Sequence, residues 1–131
     1  MAGIGELVQQ GDWKSEKHSP VIESPCTVKA GEAFDVTASL GKAVAHPNTT
    51  EHHISYISLY FKPDSGKFPY QVGRYEFSAH GESAAGPNQG PVYTNPSAVA
   101  SVTLNESGVF YAVSFCNIHG LWESSKAVTV E

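Results

Sequence analysis

Cys116 and His119 stand three residues apart in "FCNIHGLW" (Phe115–Trp122), a spacing that lets one thiolate and one imidazole reach the same metal ion. A single C-x-x-H is common by chance, so its meaning depends on further donors. The chain holds 6 histidines. His18 sits in "SEKHSP", His46 opens "HPNTTEHH" with the adjacent pair His52 and His53, and His80 follows "YEFSA". Each lies at or beside an expected loop or strand end, where side chains can converge. Neutral imidazole nitrogen and soft thiolate sulfur together suit a transition metal.

The donor set discriminates among metals. Structural zinc takes four ligands with several Cys, and catalytic zinc takes three plus water; one Cys beside many His suits neither. A blue-copper centre takes two His, one Cys and a weak axial Met, yet the one methionine is Met1. An axial Gln or backbone oxygen would have to replace it. A non-haem iron with one thiolate and several imidazoles is the remaining reading, the thiolate tuning its redox potential. A Cys–His nucleophile pair is poorly built, because a His three residues after Cys on a turn is badly placed as its base. His52 and His53 stay equivalent at this level. Neighbours on a strand face opposite sides, and "ISYISLYF" after them is apolar on both.

These donors need a scaffold, and the pattern points to strands. Val36–Leu40, Ile54–Phe61, Tyr70–Phe77, Val99–Leu104, Val109–Phe115 and Ala127–Val130 are rich in β-branched and aromatic residues, with "KAGE", "KPDSGKFP" and "NESG" as turns between them. Cys26–Lys29 offers a seventh strand. Ile4, Leu7 and Val8 support a short N-terminal helical turn. The expected fold is all-β, an immunoglobulin-like antiparallel β-sandwich of about seven strands. The 131 residues form a single domain, with 1–17 as an N-terminal segment leading into the site. Two loops, Gly41–Glu51 and His80–Pro96, exceed what their connections require, which marks them as functional or as holding subunits together.

Composition narrows the partners. A net charge of −5 without a basic block argues against nucleic acid and anionic membrane. No apolar run approaches the about 18 residues of a membrane span. "MAGIGELVQQGDW" lacks the features of a signal peptide, so a cytoplasmic protein with two reduced cysteines is expected.

Four stretches together carry a resemblance. "GDWKSEKHSPVIE" (Gly11–Glu23), "HPNTTEHHI" (His46–Ile54), "VGRYEFSAHGES" (Val72–Ser83) and "FCNIHGLWE" (Phe115–Glu123) resemble the superoxide reductases, specifically the one-iron, neelaredoxin-type members of the desulfoferrodoxin family. The two-iron relatives add an N-terminal four-cysteine iron domain, which two cysteines cannot supply. The resemblance implies one mononuclear iron held in a square pyramid, with equatorial His18, His46, His52 and His119 and axial Cys116. It thereby favours His52 over His53, and leaves His53 and His80 as supporting residues. Cys26 matches no ligand and reads as a small buried hydrophobe.

The implied activity is one-electron reduction of superoxide to hydrogen peroxide, with the iron cycling between Fe(II) and Fe(III) and re-reduced by an external donor. Lys17 would steer the anion in and stabilise charge. Glu16, before it in "EKH", would ligate the ferric state and help release peroxide. The amides of Ile118 and His119 would donate to the sulfur, and Leu121 and Trp122 would pack the turn. A rubredoxin or similar small electron donor and a homotetramer are the partners implied. Two alternatives remain at this level: a cupredoxin-like electron carrier, and an Ig-like interaction domain with incidental histidines.

Overall fold

The computed structural model describes residues 3–131; Met1, weighed above as a copper ligand, lies outside them. Among the described residues a single 3₁₀ turn at Ile4–Glu6 is followed by eight strands: β1 (Val21–Glu23), β2 (Thr27–Val28), β3 (Ala33–Ser39), β4 (Ile54–Pro63), β5 (Tyr70–Glu76), β6 (Ser97–Thr103), β7 (Gly108–Cys116) and β8 (Gly120–Val130). They form a three-stranded sheet in the order β1-β3-β6 and a five-stranded sheet in the order β2-β8-β7-β4-β5. The expected β-sandwich is the observed one.

Alternation explains the packing. On β7, Phe110, Ala112, Ser114 and Cys116 are buried, while Val109, Tyr111, Val113 and Phe115 between them are half-buried. Ile57, Leu59 and Phe61 of β4 share the inner face with Phe110, and Val36 and Ala38 of β3 close the core from the other sheet. Each fully buried aliphatic or Phe side chain contributes about 1.5–3 kcal/mol. Because Cys116 is the last inward position of β7, the period of two aims its thiol into the protein interior.

Three details differ from the sequence expectation. β1 is an additional strand, whose three residues are too short to register as a periodic segment. β8 begins at Gly120 rather than Ala127, since pairing with β7 carries the polar run "ESSK" along in the sheet. One ladder, β2 on β8, is parallel.

Cys26 requires a correction: it is exposed, not buried. It occupies the bend where the chain passes from one sheet to the other. Its carbonyl accepts the Thr129 N–H at the sheet edge, and Val28 takes the inward position. The expected N-terminal turn is there, but Ile4 and Leu7 are 68% and 60% exposed and do not join the core.

Candidate metal centre

The site is assembled at one end of the sandwich from three segments. The first is the β7–β8 hairpin. Cys116 pairs with Gly120, leaving Asn117-Ile118-His119 as a three-residue turn. Gly120 closes it at φ 82°, a left-handed conformation that glycine adopts without strain. The His119 N–H donates to Cys116 Sγ at 3.4 Å. Among the described residues the expected second donation, from Ile118, is not made. Trp122 Nε1–H donates to the His119 carbonyl at 3.2 Å, fixing the end of the turn.

The second segment carries His18. Its backbone is held by Ser114, whose hydroxyl donates to the His18 carbonyl at 3.2 Å. Its ring stacks on Trp122 with centroids 5.0 Å apart and planes 18° from parallel. Glu16 Oε1 accepts both the His18 N–H at 3.0 Å and the Nδ1–H at 2.8 Å. These bonds, the backbone one foremost, hold the Glu16 carboxyl below its ordinary pKa. With Nδ1 directed at Glu16, His18 turns Nε2 towards the cluster.

The third segment is the loop before β4. His52 and His53 precede the strand, so strand alternation does not govern them. A tight turn does: Thr49 N–H donates to the His52 carbonyl at 3.0 Å, and the His52 N–H donates to Thr49 Oγ1 at 3.0 Å. His53 turns away, with Nδ1 at 2.9 Å from the Thr49 carbonyl and its ring parallel to His80. Asn117, inside the C-x-x-H turn, accepts the His53 N–H at 2.9 Å and donates from Nδ2 to the Glu51 carbonyl at 2.9 Å. It ties the Cys116 turn to the His52 loop. Its position between two ligand types was the one sequence sign of that role.

His18, His52, Cys116 and His119 each offer a ligand atom, all within 4.8 Å of one another. His46 stands outside that radius, but its ring meets those of His18 and His52, with centroids 4.9 and 4.7 Å away. His52–His119 and His119–His18 are 5.1 and 4.6 Å apart, and the diagonal His18–His52 is 6.4 Å. The four imidazoles therefore form a closed ring, with the Cys116 thiol 3.7 Å from His119 Nδ1. Glu16 is not in the cluster; its carboxylate grips the far nitrogen of His18. Lys17 is half-buried beside it. His53 and His80 lie outside.

The polar bookkeeping fits a cation. His46 Nδ1 is 2.7 Å from the Pro47 carbonyl, and among the described residues its buried Nε2 has no partner. His52 Nε2 is also buried without one. His18 Nε2 and His119 Nδ1 face each other at 3.1 Å. Buried polar atoms without partners cost about 1–3 kcal/mol each, and converging lone pairs lack a donor. A metal ion supplies what they lack.

Burial, followed by the neighbouring His18, His52 and Lys17 charges, lowers the His46 pKa from 6.5 to about 4. Burial and then His119 lower His52 as well. Both rings are thus neutral, ligand-ready bases near pH 7. The sign follows from linkage. Below about pH 6.5 unfolded imidazoles take up protons that the folded rings refuse. Metal-free protein is therefore expected to lose stability as pH falls from 6.5 towards 4 and to keep it above that window. Thermal unfolding in chelator measures this, and His46→Phe should flatten the slope.

The comparisons with known proteins agree with this chemistry. Residues 10–125 match the family described as Desulfoferrodoxin. A neelaredoxin of Megalodesulfovibrio gigas is 58% identical over 126 residues, covering 96% of this chain and 97% of that one. A superoxide reductase of Pyrococcus furiosus is 54% identical over 98% of this chain and 99% of its own. The crystal structure of a proposed superoxide reductase from Thermotoga maritima superposes with a TM-score of 0.98 at 52% identity, covering 100% of this chain and 99% of that one.

Proposed function

Since the chain belongs to the desulfoferrodoxin family, we propose that it is a superoxide reductase, an oxidoreductase that converts superoxide to hydrogen peroxide. The observation that carries this reading is the closed ring of four imidazoles beside one buried thiol. A cupredoxin-like carrier is not favoured, since its centre needs two His and one Cys. An interaction domain with incidental histidines gives no reason for two orphaned, buried imidazole nitrogens.

One iron per chain would be held by His18, His46, His52 and His119 with Cys116. The proposed donor atoms are Nε2 of His18 and Nδ1 of His119, which face each other, and the buried, unpartnered Nε2 of His46 and His52. When bound, the iron supplies the single electron that, with two protons, takes superoxide to hydrogen peroxide, and cycles between Fe(II) and Fe(III).

The chain's own residues do the rest. Glu16 fixes the tautomer and ring orientation of His18, as carboxylates do behind ligating histidines. A direct ligand role for Glu16 in the oxidised state requires its carboxylate to leave His18. The His119 N–H donates to the sulfur and so moderates its electron density. Trp122 covers the face of His18 and limits water there.

Lys17 places a cation beside an anion-binding site in a protein of net charge −5. Local positive potential raises the capture rate of an anion about tenfold or more. Lys17→Ala is expected to retain iron, to slow superoxide capture about tenfold at low salt and to flatten the dependence on ionic strength. An unchanged bimolecular rate at low salt would remove Lys17 from the steering role.

The proposed electron donor is a rubredoxin or similar small protein, in keeping with the resemblance. The proposed assembly is a homotetramer, a reading that suits the half-buried tyrosines, Val113 and Phe115 on the outward face of the five-stranded sheet. Among the described residues no helix is long and apolar enough to cross a membrane. A cytoplasmic setting suits an exposed, unpaired Cys26. Metal analysis with an anaerobic superoxide assay tests the proposal: iron and peroxide support it, and zinc or copper in the isolated protein would sink it.

A further inference from the structure

We infer that His80 is a positioning residue for the metal centre, one buried imidazole that holds the two loop segments carrying His46 and His52. The inference rests on the ligand set proposed above. His80 is 4% exposed and touches none of the proposed ligands. Its Nδ1 is 2.7 Å from Asn48 Oδ1, and its Nε2 is 2.7 Å from the Phe77 carbonyl. Its ring lies on that of His53, with centroids 3.6 Å apart and planes 5° from parallel.

The contacts fall on the neighbours of two ligands. Asn48 follows His46 by two residues, and Pro47 between them supplies the carbonyl facing His46 Nδ1. His53 directly follows His52. Asn48 is gripped a second time, because its Nδ2–H donates to the Thr94 carbonyl at 3.0 Å. Asn88 Oδ1 accepts the Thr50 N–H at 2.8 Å between the two ligands. The long loop His80–Pro96 is thus a brace under the ligand loop, with His80 as its innermost contact.

A polar side chain at this depth would be replaced without loss by an apolar one if volume were its whole purpose. Burial holds its pKa below the ordinary value, so the ring carries one N–H, and the tautomer decides which of the two contacts receives it. The consequence is directional. Without His80 the segment 47–50 loses its innermost anchor and keeps only those to Thr94 and Asn88, so that it shifts, and with it the Nε2 of His46 and His52. The scaffold below, built on β4 and β7, does not depend on this contact.

The test compares wild type, His80→Phe and His80→Gln as full-length protein. His80→Phe keeps an aromatic ring to stack on His53 but removes both nitrogens and the one hydrogen bond they make; His80→Gln restores a polar contact. Ferrous iron is titrated anaerobically into metal-free protein against a competing chelator, and the visible thiolate-to-iron band is recorded after oxidation. His80→Phe is expected to bind iron about tenfold more weakly, the lower end of what outer partners of metal ligands contribute. Its band should shift, and His80→Gln should recover part of both. A purely structural role would lower the unfolding temperature without moving the band. Equal affinity and an unmoved band in His80→Phe would overturn the inference. If His80→Phe lost cooperative unfolding, Asn48→Leu, which keeps His80 but removes the Nδ1 contact together with the bond to the Thr94 carbonyl, would have to show the same weakening and shift. Failure of the wild-type chain to take up iron is a separate result, which overturns the ligand assignment beneath the inference.

Discussion

Cys116→Ser is expected to abolish superoxide reduction, with loss of the thiolate charge-transfer colour, while leaving the fold intact. Cys116 is 0% exposed and is the last inward residue of β7. The substitution changes one atom at nearly constant volume, so no cavity follows. The new hydroxyl has a partner in the His119 N–H, which now donates to sulfur at 3.4 Å, and this limits the cost of burying a polar group to within about 1–3 kcal/mol. The electronic consequence is much larger. Serine is not deprotonated near neutral pH, and its oxygen is a hard donor where the set offers one soft one. Loss of a direct ligand should exceed the about 10–100-fold that outer partners contribute, so a rate reduction beyond about 100-fold is expected. Thermal unfolding of the metal-free variant, close to that of wild type, would assign the loss to sulfur chemistry. A coloured, active Cys116→Ser protein would remove the thiol from the centre.

His52→Ala and His53→Ala form the second pair, because adjacent residues of one type are expected to behave oppositely. His52 Nε2 is buried without a partner in the ring of imidazoles. Its removal deletes a ligand and should weaken iron binding beyond about 100-fold. His53 loses a contact to the Thr49 carbonyl and its stacking on His80. His53→Ala should keep its iron, weakened at most about tenfold. Iron content after gel filtration in mild chelator reads out both. The reverse order would show that the Thr49 turn presents the other imidazole.

This pair also marks how far the site was legible in the sequence. β7 was legible as a strand through Phe115, and the structure carries it one residue further, to Cys116 at the last inward position. The tie between His52 and His53 was not breakable that way, because both precede β4. Their orientation is set by Thr49, which holds both, and by Asn117, which contacts His53 across 64 residues of chain. His80 was undecided for the same reason: its partners Asn48 and His53 belong to another loop, and no local pattern announces a long-range brace. Cys26 was misread because cysteine is usually buried, whereas this one stands in the bend between two sheets. β1 escaped because three residues carry no period. Local pattern sufficed for the sheets, and for the donors as a set. Which nitrogen of which ring points inward depends on the turns around each ligand, as with Glu16 behind His18 and Pro47 beside His46, and these have no period to read.

This ring of imidazoles and its thiol are expected to serve the reduction of superoxide rather than its dismutation. The yield of hydrogen peroxide per superoxide consumed, measured anaerobically on the reduced, iron-loaded protein with oxygen monitored alongside, tests it most directly. One hydrogen peroxide for each superoxide, with no oxygen released, is the expected result. Half that yield, with the balance appearing as oxygen, would contradict it.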